Sequence, residues 1–378
     1  MELEVIHVVS LTGFVLAIVF GAIANKTQFC IMGSISDWIN MGSKTRFRAW
    51  MLALGIAVVA TQTMHMAGWY DITEALYLTS TFGWLGYILG GFLFGIGMTL
   101  GAGCGQRTLV RVGGGNLKSL VVLLVLAISA YMTLRGLFAL VRINWIEVAA
   151  IDLSQSGFEN QGMPYMLAQI TGIGETALRW TFTVAIGLAA FWYAFKDKTF
   201  RGSFDNILIA FVVGGICASA WYVTGVVGYD DFEPVALEGI SFIAPVGNSL
   251  SYLMTYTGAT IGFGIAVVGG MIAGSFLYAI FSGTFRIETF NDKQDMINHM
   301  IAGVLMGFGG VLSLGCTVGQ GVTGLSTLAL GSLITLVSII FGCALTLKMQ
   351  YYMLDDGFWD SLKQSLADFK LMPANNNQ

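Results

Sequence analysis

Charge is what this chain has least of: Asp, Glu, Lys and Arg together make up 11% of its 378 residues. Soluble domains carry about 25% charged residues, and about 45–50% apolar ones. Here the apolar share is 56%, a composition for which lipid is the fitting solvent. Histidine is rare as well, with His7, His65 and His299 standing near the ends of apolar runs and far from one another. Five cysteines (Cys30, Cys104, Cys217, Cys316 and Cys343) lie in or beside such runs, with no CxxC and no Cys/His ligand spacing. That pattern argues against a disulfide framework and against a metal site. The net charge of −4 leaves no electrostatic footprint for nucleic acid. Gly113-Gly114-Gly115 lacks the lysine and hydroxyl of a phosphate-binding loop, and no haem, quinone or flavin motif is present. No cofactor, no metal and no catalytic residue is therefore expected, and an enzyme is not. The chain opens on Glu2 and Glu4 in place of a basic leader, so its first apolar run reads as a span.

Present in quantity are glycine, at 49 residues, and long apolar runs. Roughly 17–25 apolar residues cross a hydrocarbon core. Such runs fall near 6–24, 49–66, 82–100, 117–139, 178–195, 206–227, 258–282, 297–314 and 331–353. An all-α integral membrane protein of about nine transmembrane helices, with short re-entrant helices, is the fold class this predicts. The loops alternate in charge. Lys26, Lys44, Arg46 and Arg48 mark the first, Arg107, Arg111 and Lys118 the third, Lys196, Lys198 and Arg201 the fifth, and Arg286 and Lys293 the seventh. The second has Asp71 and Glu74, the long fourth is mostly acidic, the sixth holds only acids, and the eighth has no charge. Basic loops stay in the cytoplasm. The N-terminus is thus expected outside a bacterial plasma membrane and the C-terminus, after Lys348, Lys363 and Lys370, inside. The loop at 142–176 is long enough for an interfacial helix. Residues 355–378 read as a short cytoplasmic helix and tail.

The chain also repeats itself. GFLFGIGMTLGAGC (91–104) and GVLMGFGGVLSLGC (303–316) share seven of fourteen residues at an offset of 212. The same offset carries the second span onto the seventh and the fourth onto the ninth. Corresponding spans are five apart, and an odd displacement reverses direction, so an inverted repeat is expected with its site near the midplane. The single transmembrane domain divides into a first repeat (1–140), a linker and connecting span (141–203), a second repeat (204–354) and the tail. A weak match of QFCIMGSIS (28–36) with SFIAPVGNS (241–249) places Ile243 or Ala244 opposite Cys30, leaving three thiols where symmetry would give four.

Cys30, Cys104 and Cys316 each stand where an apolar run gives way to small residues. Irregular backbone at membrane depth is tolerated only where it is buried in protein or lines a cavity. Free N–H groups at such breaks hold anions without a buried cation. Gly103, Gly105, Gln106, Arg107, Thr108, Gly315, Thr317 and Gln320 flank the thiols as supporting candidates, and Arg107 and Lys26 double as topological anchors. Cys217 and Cys343, inside spans, read as packing, and so do Gly91, Gly95, Gly303 and Gly307.

FCIMGSISDW (29–38), GGFLFGIGMTLGAGCGQRTLVRVGGG (90–115), and FRIETF with AGVLMGFGGVLSLGCTVGQGV (285–290 and 302–322) resemble the YeeE/YedE family of bacterial inner-membrane proteins. The resemblance spans nearly the whole chain. It implies an hourglass-like body, thiosulfate uptake and three pathway cysteines at Cys30, Cys104 and Cys316. Family members often have Gly-Gly-Cys where this chain has Ala102-Gly103-Cys104 and Leu314-Gly315-Cys316, and Gly113-Gly114-Gly115 lacks the acid of their Gly-Glu-Gly element. The substrate so implied is thiosulfate or a similar small sulfur anion, passed by S–H contacts with no covalent step. A small cytoplasmic sulfur-carrier protein and membrane lipid are the partners. Transport of another sulfur or selenium species, a membrane thiol-redox or sulfur-relay protein, and a scaffold handing sulfur to a soluble partner are the alternatives.

Overall fold

A computed structural model of the protein describes residues 4–230, 235–353 and 357–369. Sixteen α-helices order these residues. The first half contributes α1 (Val5–Thr27), α2 (Ile31–Met41), α3 (Thr45–Met66), α4 (Trp84–Leu100), α5 (Gly105–Gly113), α6 (Leu117–Arg135), α7 (Leu137–Val141) and α8 (Met163–Thr171). The rest are α9 (Glu175–Phe195), α10 (Lys198–Arg201), α11 (Phe204–Tyr222), α12 (Ile243–Met254), α13 (Phe263–Phe281), α14 (Lys293–Leu312), α15 (Leu330–Tyr352) and α16 (Phe358–Asp368). Two two-residue strands, Thr81–Phe82 and Ile151–Asp152, pair antiparallel.

Nine of these helices are long and apolar enough to cross a membrane among the described residues: α1, α3, α4, α6, α9, α11, α13, α14 and α15. The protein is an all-α integral membrane protein. Two of the predicted spans differ at an edge. The fourth stops at Arg135 because Gly136 leaves the helical region, and the seventh starts at Phe263, after a turn at Tyr256–Gly258. The 142–176 loop holds α8, which begins with Pro164 in its first turn and ends on left-handed Gly172. The tail holds α16, whose Asp368 pairs with Lys348 and Tyr352 of α15; residues 370–378 lie outside the described residues.

Helix packing follows the 212-residue offset. A Cβ on Gly91 would lie 2.9 Å from the Thr335 carbonyl of α15, and one on Gly95 2.4 Å from that of Ile339. Their counterparts Gly303 and Gly307 meet α6 in the same manner, at the Val122 carbonyl (3.0 Å) and the Leu126 carbonyl (2.7 Å). Lipid supplies no hydrophobic drive between helices, so close backbone contact through small residues is what holds such pairs together. Likewise α1 packs on α13 while α11 packs on α3, which exchanges partners between the halves. At the centre α4 crosses α14, with Gly86 against Leu312, Gly90 against Gly309 and Gly97 against Ala302. One index rises as the other falls, so these two corresponding helices run antiparallel. The crossing is centred near Phe94 and Met306, both fully buried.

The α9 helix stands outside this scheme and lies along α3. Arg179, 5% exposed within it, bonds Gln62 Oε1 (3.0 Å) and Glu175 (2.6 Å), and Gln62 in turn donates to the Ser326 carbonyl (2.7 Å). A buried cation at a span is held only by such partners.

Overpacking a close helix contact costs about 1–3 kcal/mol. Gly95→Val and Gly307→Val should each lower the melting temperature of the detergent-purified protein. Gly215→Ala, in α11, where a Cβ would meet nothing within 4 Å, should leave it unchanged.

Candidate functional site

The three singled-out cysteines are presented by one local device. Each follows a helix that stops on a residue in the left-handed region: Gln28 (φ 55°), Ala102 (φ 52°) and Leu314 (φ 59°). In each stop the next residue's N–H reaches back five positions: Phe29 to Ala24 (3.3 Å), Gly103 to Met98 (2.8 Å) and Gly315 to Gly310 (2.7 Å). This capping pattern satisfies carbonyls that would otherwise be orphaned in the protein interior. The cysteine comes two residues after the left-handed one, and its carbonyl accepts the first N–H of a new helical turn. Ser34 bonds Cys30 (3.0 Å), Thr108 bonds Cys104 (2.9 Å) and Gln320 bonds Cys316 (2.7 Å). After Cys30 and Cys104 the turns continue as α2 and α5; after Cys316 the chain makes a π-helical turn, Gly319–Gly324.

The backbone hydrogen bonds of the second and third cases coincide at the 212 offset. Cys30 has the same device without a matching thiol in the other half. The helix corresponding to α2 is α12, and their N-caps are Cys30 and Phe242. The residue in the place of Cys30 is therefore Phe242, one position before Ile243 or Ala244. Both helices begin on an isoleucine, Ile31 and Ile243, and this sets the register.

Exposure is 7% at Cys30, 1% at Cys104 and 0% at Cys316. All five cysteines are free thiols. Cys30 and Cys104 sit side by side, their side chains in direct interaction, and the Thr317 side chain also reaches Cys104. The loop before the π turn thus meets the loop before α5. The Cys316 sulfur is approached by backbone N–H groups of Gly319 (3.4 Å), Val318 and Phe242. Gly105 opens α5 against Ile243, whose Cδ1 would lie 2.9 Å from an added Cβ. Phe242 and Ile243 accordingly wedge between the Cys104 and Cys316 loops.

The supporting candidates gather here, and several carry polar atoms that no protein group satisfies. Among the described residues Gln106 Nε2, Gln320 Oε1 and Arg107 Nη1 are buried without a hydrogen-bond partner, and Thr317 Oγ1 has only the Cys104 thiol beside it. Such atoms are costly to keep unless something else binds them. Gln320 is held in place by Nε2 donating to the Ser313 carbonyl (2.5 Å), and Arg107 by Nη2 donating to Gln28 Oε1. Gly103 lies under Arg107, whose Cγ would be 2.9 Å from an added Cβ, and Gly315 (φ 157°) packs beside Gln320. Thr108 does not join the group, since its hydroxyl donates to the Cys104 carbonyl (3.0 Å). Lys26 is ion-paired with Asp205 (3.0 Å). Cys217 packs against the Thr323 hydroxyl (3.6 Å) and Cys343 lies against Thr99.

Sequence reasoning missed Gln28, Phe242, Tyr77 and Ser241. Gln28 forms the left-handed stop and grips Arg107. Tyr77 and Ser241 interact above Cys316, on the face that carries the acidic loops. Burial holds the Tyr77 phenol above its ordinary pKa, so it stays neutral. Glu238 is exposed toward the same region, and partial desolvation raises its carboxyl above the usual range. Among the described residues no group of three or more His, Cys, Asp or Glu side chains is placed to hold a metal ion.

Three helix stops thus bring buried thiols and unpartnered polar atoms together inside a membrane protein. A sequence model of the family described as "Sulphur transport" matches residues 26–345, and the chain belongs to that family. It is similar to the thiosulfate transporter TsuA of Escherichia coli (strain K12), with 24% identity over 354 residues covering 88% of this chain and 92% of the relative. It is also similar to the thiosulfate transporter TsuA of Spirochaeta thermophila, with 23% identity over 337 residues covering 88% of this chain and 96% of the relative. The protein is a transporter of sulfur compounds, not an enzyme.

Two predictions follow from the stops and the thiol pair. A non-glycine residue in the left-handed region costs about 1–2 kcal/mol, and more when β-branched. Ala102→Gly should hold or raise the melting temperature in detergent, and Ala102→Val should lower it. In a variant with Cys217, Cys316 and Cys343 changed to Ala, dibromobimane should bridge Cys30 and Cys104 and become fluorescent. No fluorescence in the reduced, folded protein would place the two thiols apart.

Proposed function

We propose that the chain takes up thiosulfate across a bacterial plasma membrane, along a path that meets Cys316 first and then Cys104 and Cys30. The observation that carries this reading is the triple cap: three buried thiols, each offered by a helix stop, among neutral polar atoms that lack partners. That its relatives are thiosulfate transporters supports the cargo. Loop charge supports the direction, with the acidic face and the N-terminus outside and the basic face and the C-terminus in the cytoplasm.

Thiosulfate has a soft terminal sulfur and a hard sulfonate. Polarizable thiols suit the first as weak S–H donors. The backbone N–H groups at Cys316, the Gln106 amide and the Thr317 hydroxyl suit the second, and Arg107 sits at the basic end where the anion leaves. Several weak stations in series favour passage over trapping. No bond to sulfur is made or broken. On the basic face, a small sulfur-carrier protein is the partner this direction of flow calls for.

A second reading, a thiol-redox relay, draws on the side-by-side placement of Cys30 and Cys104. Serine separates the two, because it donates a hydrogen bond but forms no disulfide. In cells that depend on this chain for thiosulfate as sole sulfur source, Cys30→Ala, Cys104→Ala and Cys316→Ala should each cut uptake about tenfold or more, a loss of roughly 1.4 kcal/mol at the barrier. Cys343→Ala should not. Full uptake in all three alanine variants would sink the path. Measurable uptake by Cys104→Ser favours hydrogen bonding, and none favours the relay.

A further inference from the structure

Above Cys316, on the acidic-loop face, lies a cavity of about 940 Å³. This is large for one small anion, and its walls are chemically divided. One wall is made by α6 and α12, which pack together through Gly247 against Ala130 and Tyr131. From α6 it receives Tyr131 and, one turn on, Arg135; from α12 it receives Asn248, Ser251 and Tyr252, which share a helix face at spacings of three and four. The lining also includes the carboxylates Glu74 and Glu238, from other segments of the chain. The floor includes Leu314 and Ser241, two residues before Cys316 and one before Phe242.

Among the described residues Arg135 is the one cation on this lining, and it makes no ion pair or hydrogen bond with any of them. It owes its place to the early end of α6 at Gly136, which turns a residue expected inside a span into a residue of the mouth. We propose that Arg135, with the amide and hydroxyls of α12 beside it, is an entry station that binds a small divalent sulfur oxoanion before it reaches Cys316. The guanidinium offers a planar pair of donors matched to two oxygens of a sulfonate. Asn248 and Ser251 supply neutral donors for the rest. Entry from this side rests on the uptake reading above, whereas binding does not.

The test is thiosulfate titrated into the full chain purified in detergent, followed by calorimetry, beside uptake in cells. Charge-assisted hydrogen bonds set the scale: Arg135→Gln should weaken binding about tenfold or more, Arg135→Lys only a few-fold, and Arg135→Glu should abolish it. Wild-type affinity should fall with added salt more steeply than that of Arg135→Gln. In cells Arg135→Gln should raise KM and leave the maximal rate near wild type. Unchanged melting temperatures establish that the variants are folded. Equal affinity in wild type and Arg135→Gln, or no binding by the wild type, overturns the station. Arg135-dependent binding without uptake keeps the station and sinks the transport reading. Uptake with an unchanged KM in Arg135→Gln does the reverse.

Discussion

Backbone groups inside a membrane must find partners within the protein, and the site depends on how this chain meets that demand. Three helices end at depth, and each closes its last carbonyls with a left-handed residue and a bond spanning five positions. Such a closed end lets a helix stop inside the protein without orphaned carbonyls. The next residues are then free to start a new helical turn in another direction, and the first of them is a cysteine. Thiol, N–H groups and change of direction come together because one cap produces all three. Glycine is the usual residue at such a position, yet here it is Gln28, Ala102 and Leu314. Strain is carried at the site and balanced by the packing around it.

That choice also limits what the sequence reveals. Hydropathy and the 212 offset are read directly, so the nine spans, the correspondence of α4 with α14 and the packing glycines are legible. Cys104 and Cys316 follow from the same repeat. Cys30 stands on family resemblance more than on symmetry, because its cap has no glycine to mark it and its counterpart is Phe242. Its kinship with the other two thiols appears only in dihedral angles. Arg135 was hidden differently: the apolar run continues past it to Leu140, and only the backbone of Gly136 divides the run.

The polar equipment around the thiols is nearly free of formal charge. Gln106, Thr317 and Gln320 are buried and neutral, and the full charges stand at the two ends: Arg107 toward the basic loops, Arg135 toward the acidic ones. Desolvating a charge is far costlier than desolvating an amide, so neutral side chains are the ones that can be buried beside the thiols.

The exchange of partners between halves bears on how the protein is made. Gly21 lies against the Met271 backbone and Gly274 against that of Ile18, so the first helix finds its closest neighbour only in α13. During synthesis α1 enters the bilayer some 250 residues before that neighbour exists, as the separation of 18 and 274 shows. Until then its small-residue face meets lipid or a chaperone. The packing of α1 is therefore completed only once α13 has been made.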